Sequence, residues 1–377
     1  MTLIGKGIYK IMEKIVVVAG ARPNFMKIAP LLREFEKYAN RFDVKLVHTG
    51  QHYDYQMSDV FLRNFGIREP DMHLNAGSGS HAEVTARVMV EFEKVLKVDR
   101  PDLVIVVGDV NSTLACSLVA SKMGVKVAHV EAGLRSFDRE MPEEINRLVT
   151  DALSDYLFVS ELSGLKNLKH EGVSKSKVFY VGNIMIDTLF AQMQKIDASG
   201  ILESLQLMPR TFAVMTIHRP SNVDVPKTLA EIHEIIERIA NDTKIVYPIH
   251  PRTKKAMEIG GYLKKFEDIK NLLMIEPLGY SDFLKLMKYA RWVLTDSGGI
   301  QEETTVLHVP CLTMRENTER PSTITQGTNI LVGRDSKKIH SEVQKILAGR
   351  VKKGRVPKYW DGKAAERIVK IIKNLST

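Results

Sequence analysis

The chain has 377 residues, 44% hydrophobic and 26% charged, with a formal net charge of +9. It is too long for one ordinary core and comfortable as two, and no apolar run approaches the roughly 20 residues that span a bilayer, so no membrane partner is expected. A basic balance favours anionic partners. However, the cluster Arg350, Lys352, Lys353 and Arg355 is short, and no basic stretch is interleaved with aromatics, so nucleic acid is not expected either.

The first 14 residues hold scattered lysines but no long apolar stretch with a small-residue cleavage site, which argues against a signal peptide. Cys116 and Cys311 lie far apart and lack metal-ligand spacing; both read as reduced and buried, in a cytoplasmic protein. The chain then alternates short apolar strands with amphipathic helices. Strands are expected at 14–19, 43–48, 102–107, 126–130, 156–159 and 177–181, with helices at 28–38, 83–96, 112–122 and 143–153 between them. Nearly continuous apolar strands fit a parallel sheet covered on both faces. A second series starts after Val181-Gly182-Asn183, with strands at 212–217, 244–248, 272–275, 292–294 and 309–313. Residues 360–374 read as an amphipathic helix with Ala364, Ile368, Ile371 and Ile372 on one side. The fold class is therefore α/β, two Rossmann-like domains facing a central cleft: 1–182, then 183–358, with 359–377 packing back on the first. Ligands of open α/β sheets bind beyond the carboxyl ends of the strands.

The residues just past those strands are unusually polar. The first strand runs into Gly20-Ala21-Arg22-Pro23-Asn24, with Lys27 following. One glycine stands where a dinucleotide fingerprint needs three, so NAD is poorly supported. A glycine turn opening a helix beside Arg22 and Lys27 suits a phosphate; surface charge is the plain alternative. The third strand ends in Gly108-Asp109 and the fourth in Glu131-Ala132-Gly133. Asp109 is either a crevice acid or the N-cap of the next helix, whereas Glu131 precedes no helix. Glu143, after Pro142, is either a third crevice acid or a helix-dipole partner. Three converging carboxylates would supply general acids and bases.

In the second half, His218-Arg219 and His250-Pro251-Arg252 follow successive strands. Then Asp296-Ser297-Gly298-Gly299 leads into a helix whose N–H groups would hold a pyrophosphate. Glu303, one turn in, is placed to accept from ribose hydroxyls, and Arg315 and Arg320 follow the last core strand. No H-E-x-x-H, paired C-x-x-C, Walker A or G-x-S-x-G motif is present, so no metal site is expected.

Taken in order, these elements resemble the non-hydrolysing UDP-N-acetylglucosamine (UDP-GlcNAc) 2-epimerases. The likeness runs from Gly20-Ala21-Arg22-Pro23 through Thr49-Gly50-Gln51-His52, Gly108-Asp109, His129-Val130-Glu131-Ala132-Gly133-Leu134-Arg135 and Pro142-Glu143-Glu144-Ile145-Asn146-Arg147. It continues through Thr216-Ile217-His218-Arg219, Asp296-Ser297-Gly298-Gly299-Ile300-Gln301-Glu302-Glu303 and Thr318-Glu319-Arg320-Pro321 to Gly327-Thr328. The Ser-Gly-Gly-x-x-x-Glu element alone is common among nucleotide-sugar enzymes; the ordered set is specific.

The resemblance implies a glycosyltransferase-B-like fold, UDP held mainly by the second domain, a homodimer and no redox cofactor. It implies interconversion of UDP-GlcNAc and UDP-N-acetylmannosamine (UDP-ManNAc) by elimination of UDP to 2-acetamidoglucal and re-addition, usually for cell-surface polysaccharide. Asp109, Glu131 and Glu143 match the acid/base carboxylates and His218 the residue assisting the diphosphate. Arg22, Lys27, Ser297, Gly298, Gly299, Glu303 and Arg320 match UDP-binding positions, and Phe283 one near the uracil. Gln51, His52, Arg219 and His250 match a site where some members bind a second, activating UDP-GlcNAc. After His218-Arg219, however, Pro220-Ser221-Asn222 replaces the second arginine and glutamate of many bacterial members. The alternatives are a hydrolysing relative releasing ManNAc and UDP, a glycosyltransferase of the same fold, and a non-catalytic nucleotide-sugar sensor.

Overall fold

The computed structural model describes residues 13–50 and 62–375. The chain divides after Thr188 and again after Trp360. Leu189–Trp360 form one compact unit (unit 2), and the segments before and after it form the other (unit 1).

In unit 1 the strands are β1 (Glu13–Ala19), β2 (Phe42–His48), β3 (Met72–His73), β4 (Leu103–Val107), β5 (Lys126–Ala132), β6 (Tyr156–Val159) and β7 (Val178–Tyr180). Among the described residues they form one parallel sheet in the order β3-β2-β1-β4-β5-β6-β7. All five residues of β4, Leu-Val-Ile-Val-Val, are buried, as a strand covered on both faces requires. The helices that matter for the site are α1 (Arg22–Glu36), α2 (His81–Val98), α3 (Asn111–Lys122) and α4 (Pro142–Leu153). Pro23 stands in the first turn of α1, where its missing N–H has no helical partner to lose, so the helix starts six residues before the expected 28. A capping box starts α2: Ser80 Oγ accepts from the Glu83 N–H, and the Glu83 carboxylate accepts from the Ser80 N–H at 2.9 Å.

In unit 2 the strands are β8 (Phe212–Thr216), β9 (Lys244–Pro248), β10 (Leu272–Ile275), β11 (Trp292–Thr295), β12 (Cys311–Thr313) and β13 (Asn329–Leu331). They pair in parallel in the order β10-β9-β8-β11-β12-β13. Both units therefore wind outward from a switch point, β1/β4 in one and β8/β11 in the other, where open parallel sheets bind ligands. Unit 2 is filled by Ile235, Tyr247, Phe266, Trp292 and their neighbours.

The expected strands are all found, with ends moved by one or two residues. β3 and β13 are additional; two and three residues long, they are too short for a strand periodicity to announce them. β5 continues to Ala132, with a register shift against β6 between Val130 and Ala132. The C-terminal helix Ala364–Leu375 buries Ala364, Ala365, Ile368, Val369 and Ile372, leaving Ile371 half-buried. Asp187 caps it, accepting from the N–H groups of Ala364 and Ala365 at 3.0 and 2.8 Å. Cys116 and Cys311 are buried free thiols.

Candidate active site

At the β1/β4 switch point of unit 1, Asn24 fixes the turn that opens α1. Its Oδ1 accepts from the N–H groups of Gly20 and Ala21 at 3.0 and 2.9 Å, and its Nδ2 donates to the Val107 carbonyl at 3.0 Å. Gly20 cannot carry a side chain, since a Cβ would stand 2.6 Å from that of Ser112. One turn into α1, Lys27 is buried and its ammonium bonds Glu131 Oε2. The sequence left Lys27 between phosphate ligand and surface charge; in the structure it is neither on the surface nor unpaired. Glu131 occupies the bulge of β5 with φ of 73°, a left-handed conformation that costs a non-glycine residue about 1–3 kcal/mol. Its Oε1 is buried with no hydrogen-bond partner. Gly108 lies against the pair: with φ of +68°, its Cβ would stand 2.9 Å from Lys27 Nζ and 3.5 Å from Glu131 Oε2.

Asp109 follows Gly108 and does not cap α3, whose N-cap is Val110 without a side-chain bond. Its carboxylate accepts instead from Arg147 of α4, Nε at 3.0 Å and Nη2 at 2.6 Å, and remains 28% exposed. Asn146 donates to the Asp109 carbonyl at 2.9 Å. Arg147 also donates to Glu144, whose buried carboxylate accepts from the Ser136 and Phe137 N–H groups and so holds the loop after β5. Helix α4 is inverted: it buries Glu144, Asn146, Arg147, Thr150 and Asp151 while Ile145 and Val149 are exposed. Glu143, half-buried, stands four residues before Arg147 on the same side of this helix.

Unit 2 is organised by Asp296, wholly buried at the end of β11. It accepts from the N–H groups of His218 and Arg219 at 3.0 and 2.8 Å and from the Asn222 side-chain amide at 2.9 Å, so it ties the entry of α5 (Pro220–Val223) to the end of β11. His218 Nδ1 lies 3.3 Å from the same carboxylate, and the half-exposed ring is 5.5 Å from that of His250. His250 caps α6 (Pro251–Ile259) by accepting from the Arg252 N–H at 3.2 Å. On α7 (Tyr280–Tyr289), Tyr280 donates to Glu303 at 2.9 Å, and half-buried Phe283 follows one turn later. Burial pushes the Glu303 carboxyl up to about 7, against the lowering effect of that bond.

Ser297 is the N-cap of α8 (Gly298–Val306), and its hydroxyl makes no capping bond. A Cβ on Gly298 would stand 2.7 Å from Glu319 Oε1 and 3.1 Å from Arg320 Nη1. Arg320, at the start of α9 (Pro321–Thr325), is held by Glu319 and by Glu302, the latter at 2.8 Å. A helix N-terminus with a buried guanidinium beside it is an anion-binding arrangement.

The structure thus brings Lys27, Glu131 and Gly108–Asp109 together in unit 1, and His218, Arg219 and His250 in unit 2. It likewise groups Gly298 with Arg320 and Glu303 with the helix of Phe283. Arg22 heads α1, and Gly299 follows Gly298 in α8. Gln51 and His52 lie outside the described residues. Reading the sequence gave no individual role to Asn24, Glu144, Asn146, Arg147, Asp151, Tyr280 or Asp296. For those on α4 a signal existed: polar residues take the positions an amphipathic helix gives to its core. Among the described residues, no group of three or more His, Cys, Asp or Glu could hold a metal ion.

Two parallel units of the same winding, with acids at one switch point and a glycine-opened helix beside an arginine at the other, place the chain in the glycosyltransferase-B-like class. A lipopolysaccharide outer-core galactosyltransferase shares that fold at 13% identity and a TM-score of 0.54, over 96% of this chain and 99% of that one. A sequence profile described as UDP-N-acetylglucosamine 2-epimerase matches residues 34–373, and the chain belongs to that family. It is 42% identical to the UDP-N-acetylglucosamine 2-epimerase of Methanocaldococcus jannaschii over 95% of this chain and 98% of the relative. The crystal structure of the M. jannaschii enzyme with UDP-GlcNAc and UDP superposes with a TM-score of 0.87 at 41% identity, over 96% and 99% of the two chains. A UDP-2,3-diacetamido-2,3-dideoxy-D-glucuronate 2-epimerase of Pseudomonas aeruginosa is 37% identical over 96% of this chain and its own full length.

Proposed function

We propose that this protein reversibly inverts C2 of UDP-GlcNAc, giving UDP-ManNAc without net hydrolysis. The observation that carries the reading is the pair of acids at the ends of adjacent strands: Glu131, strained and buried on Lys27, and Asp109, steadied by Arg147. Inversion needs one group to take a proton from C2 and another to return one to the opposite face, and separately held carboxylates supply both. As the C2 proton leaves, the C1–O bond breaks, its electron pair departs with the diphosphate, and the C1=C2 bond of 2-acetamidoglucal forms. Re-addition protonates C2 on the other face and rejoins the UDP oxygen to C1, so atoms and electrons balance without hydride transfer.

Glu143 is the third acid in this assignment, and His218, held by Asp296, assists the leaving diphosphate. UDP falls to Arg22, Lys27, Ser297, Gly298, Gly299, Glu303 and Arg320, with Phe283 beside the uracil. A second, activating UDP-GlcNAc falls to Gln51, His52, Arg219 and His250; it makes the rate sigmoidal in UDP-GlcNAc and leaves UDP-ManNAc alone a poor substrate. A plain hyperbola with either substrate removes that site. A homodimer belongs to the same reading. The setting is the cytoplasm, with the product destined for cell-surface polysaccharide.

Proton NMR of UDP-GlcNAc with the purified protein in D2O, without added metal or nicotinamide, tests the reading. UDP-ManNAc carrying deuterium at C2 is expected. Free ManNAc with UDP would assign the hydrolysing reaction, and unchanged substrate would leave a transferase or a sensor.

A further inference from the structure

His129 lies two residues before Glu131 on β5, and its ring is wholly buried. Nε2 is 2.8 Å from the Gly108 carbonyl oxygen, and Nδ1 is 2.6 Å from Asp151 Oδ1. The carbonyl can only accept. Asp151 already accepts from the Gly133 N–H at 2.9 Å and lies 2.7 Å from Arg135 Nη2. Burial alone would raise the Asp151 carboxyl, but His129, Arg135 and the Gly133 N–H together hold it below its ordinary value. Both ring nitrogens thus face acceptors, whereas a neutral imidazole has a single N–H.

We infer that His129 is a buried imidazolium whose two N–H groups lock the Gly108 peptide to α4, making it a positioning residue for Asp109 and Glu131. The Gly108 peptide is the joint between the two acids. Its Cα packs on the Lys27–Glu131 pair, its N–H donates to the Val130 carbonyl at 3.0 Å, and Asp109 is the next residue. Asp151 pins the other side: by binding the Gly133 N–H it fixes the turn in which Glu131 and Gly133 both take positive φ, 73° and 79°. The charges facing His129 are Asp151 from α4, with Arg135 from the turn after β5 behind it, and Glu171 at 2.7 Å beyond Arg135. Two cations thus meet two anions, the balance a buried ionic cluster needs.

The inference rests on the assignment of proton transfer to Asp109 and Glu131, and its test separates the two. In the intact protein labelled with 15N-histidine, long-range proton–nitrogen spectra should show one imidazole protonated at both nitrogens. That imidazole is identified by its absence in His129→Gln. A single N–H on it would overturn the inference whatever the activity. His129→Leu should lower kcat about 100-fold, the cost of displacing reacting groups by roughly 1 Å, with UDP affinity unchanged. His129→Gln, whose amide still reaches the Gly108 carbonyl, should recover part of that loss. Asp151→Asn, which keeps the shape and removes the charge, serves if His129→Leu does not fold. Turnover surviving in Asp109→Asn and Glu131→Gln would refute the acid assignment. Those two inactive beside a His129→Leu of wild-type kcat would refute the positioning role.

Discussion

Glu131→Gly sets two opposing terms against each other. Glycine accepts the φ of 73° without strain, a relief of about 1 kcal/mol once its greater freedom in the unfolded chain is counted. The same change removes the ion-pair partner that Lys27, with its side chain 8% exposed, has among the described residues, and a buried charge left alone costs about 3–5 kcal/mol. The loss wins, so unit 1 should be destabilised by about 2–4 kcal/mol. Adding Lys27→Met removes the stranded cation, and the double variant should return to wild-type stability or exceed it by about 1 kcal/mol, though inactive. Both tryptophans, Trp292 and Trp360, belong to unit 2, so their fluorescence is blind to this. Hydrogen exchange of peptides spanning β4 and β5, with far-UV circular dichroism, is the appropriate assay. A single variant as stable as the wild type, or a double variant no better than the single, would refute the account of Glu131 as a strained residue held by its cation.

Gly298→Ala forces a methyl to 2.7 Å from Glu319 Oε1 and should weaken UDP by about tenfold, roughly 1.4 kcal/mol by calorimetry, while the fold is kept. Asp296→Ala leaves the His218 and Arg219 N–H groups without their acceptor; kcat should fall about 100-fold, and proteolysis should reach residues 217–222. Glu303, raised from 4.5 to about 7 in the folded state, holds a proton that the unfolded chain has released. The stability it contributes is full below about pH 4.5 and lost as pH rises through about 7, of order 3 kcal/mol. Tryptophan fluorescence of unit 2 during urea unfolding should show this slope, and Glu303→Gln should flatten it. Asp187→Ala removes the cap of the C-terminal helix and should cost about 1–2 kcal/mol, read as earlier thermal loss of unit 1 helicity.

Continuous apolar runs such as Leu103–Val107 made the parallel sheets legible, since a short, β-branched run of that kind suits a strand buried on both faces. β3 and β13 were not, because two or three residues held by their neighbours' hydrogen bonds need no hydrophobic signature. At the candidate site, position relative to strand ends singled out Asp109, Glu131 and His218, a local property of the chain. What could not be read was pairing at long range: Lys27 meets Glu131 across 104 positions, and Arg147 meets Asp109 across 38. Two readings for Asp109 stood open until Arg147 was seen to claim its carboxylate and Val110 to take the cap. Asp296 hides differently, since inside a phosphate-type motif its backbone-holding role looks like a ligand's.

Unit 1 is discontinuous: it ends at Thr188 and resumes at Asp361, with the whole of unit 2 spliced between. During synthesis, then, unit 2 is fully translated before the last helix of unit 1 exists. The Asp187 carboxylate lacks these two N–H donors until Ala364 and Ala365 emerge. A chain cut between Trp360 and Ala364 carries a complete unit 2 and an N-terminal unit missing its final helix, so a premature stop in the last dozen or so codons damages the end of the protein made first.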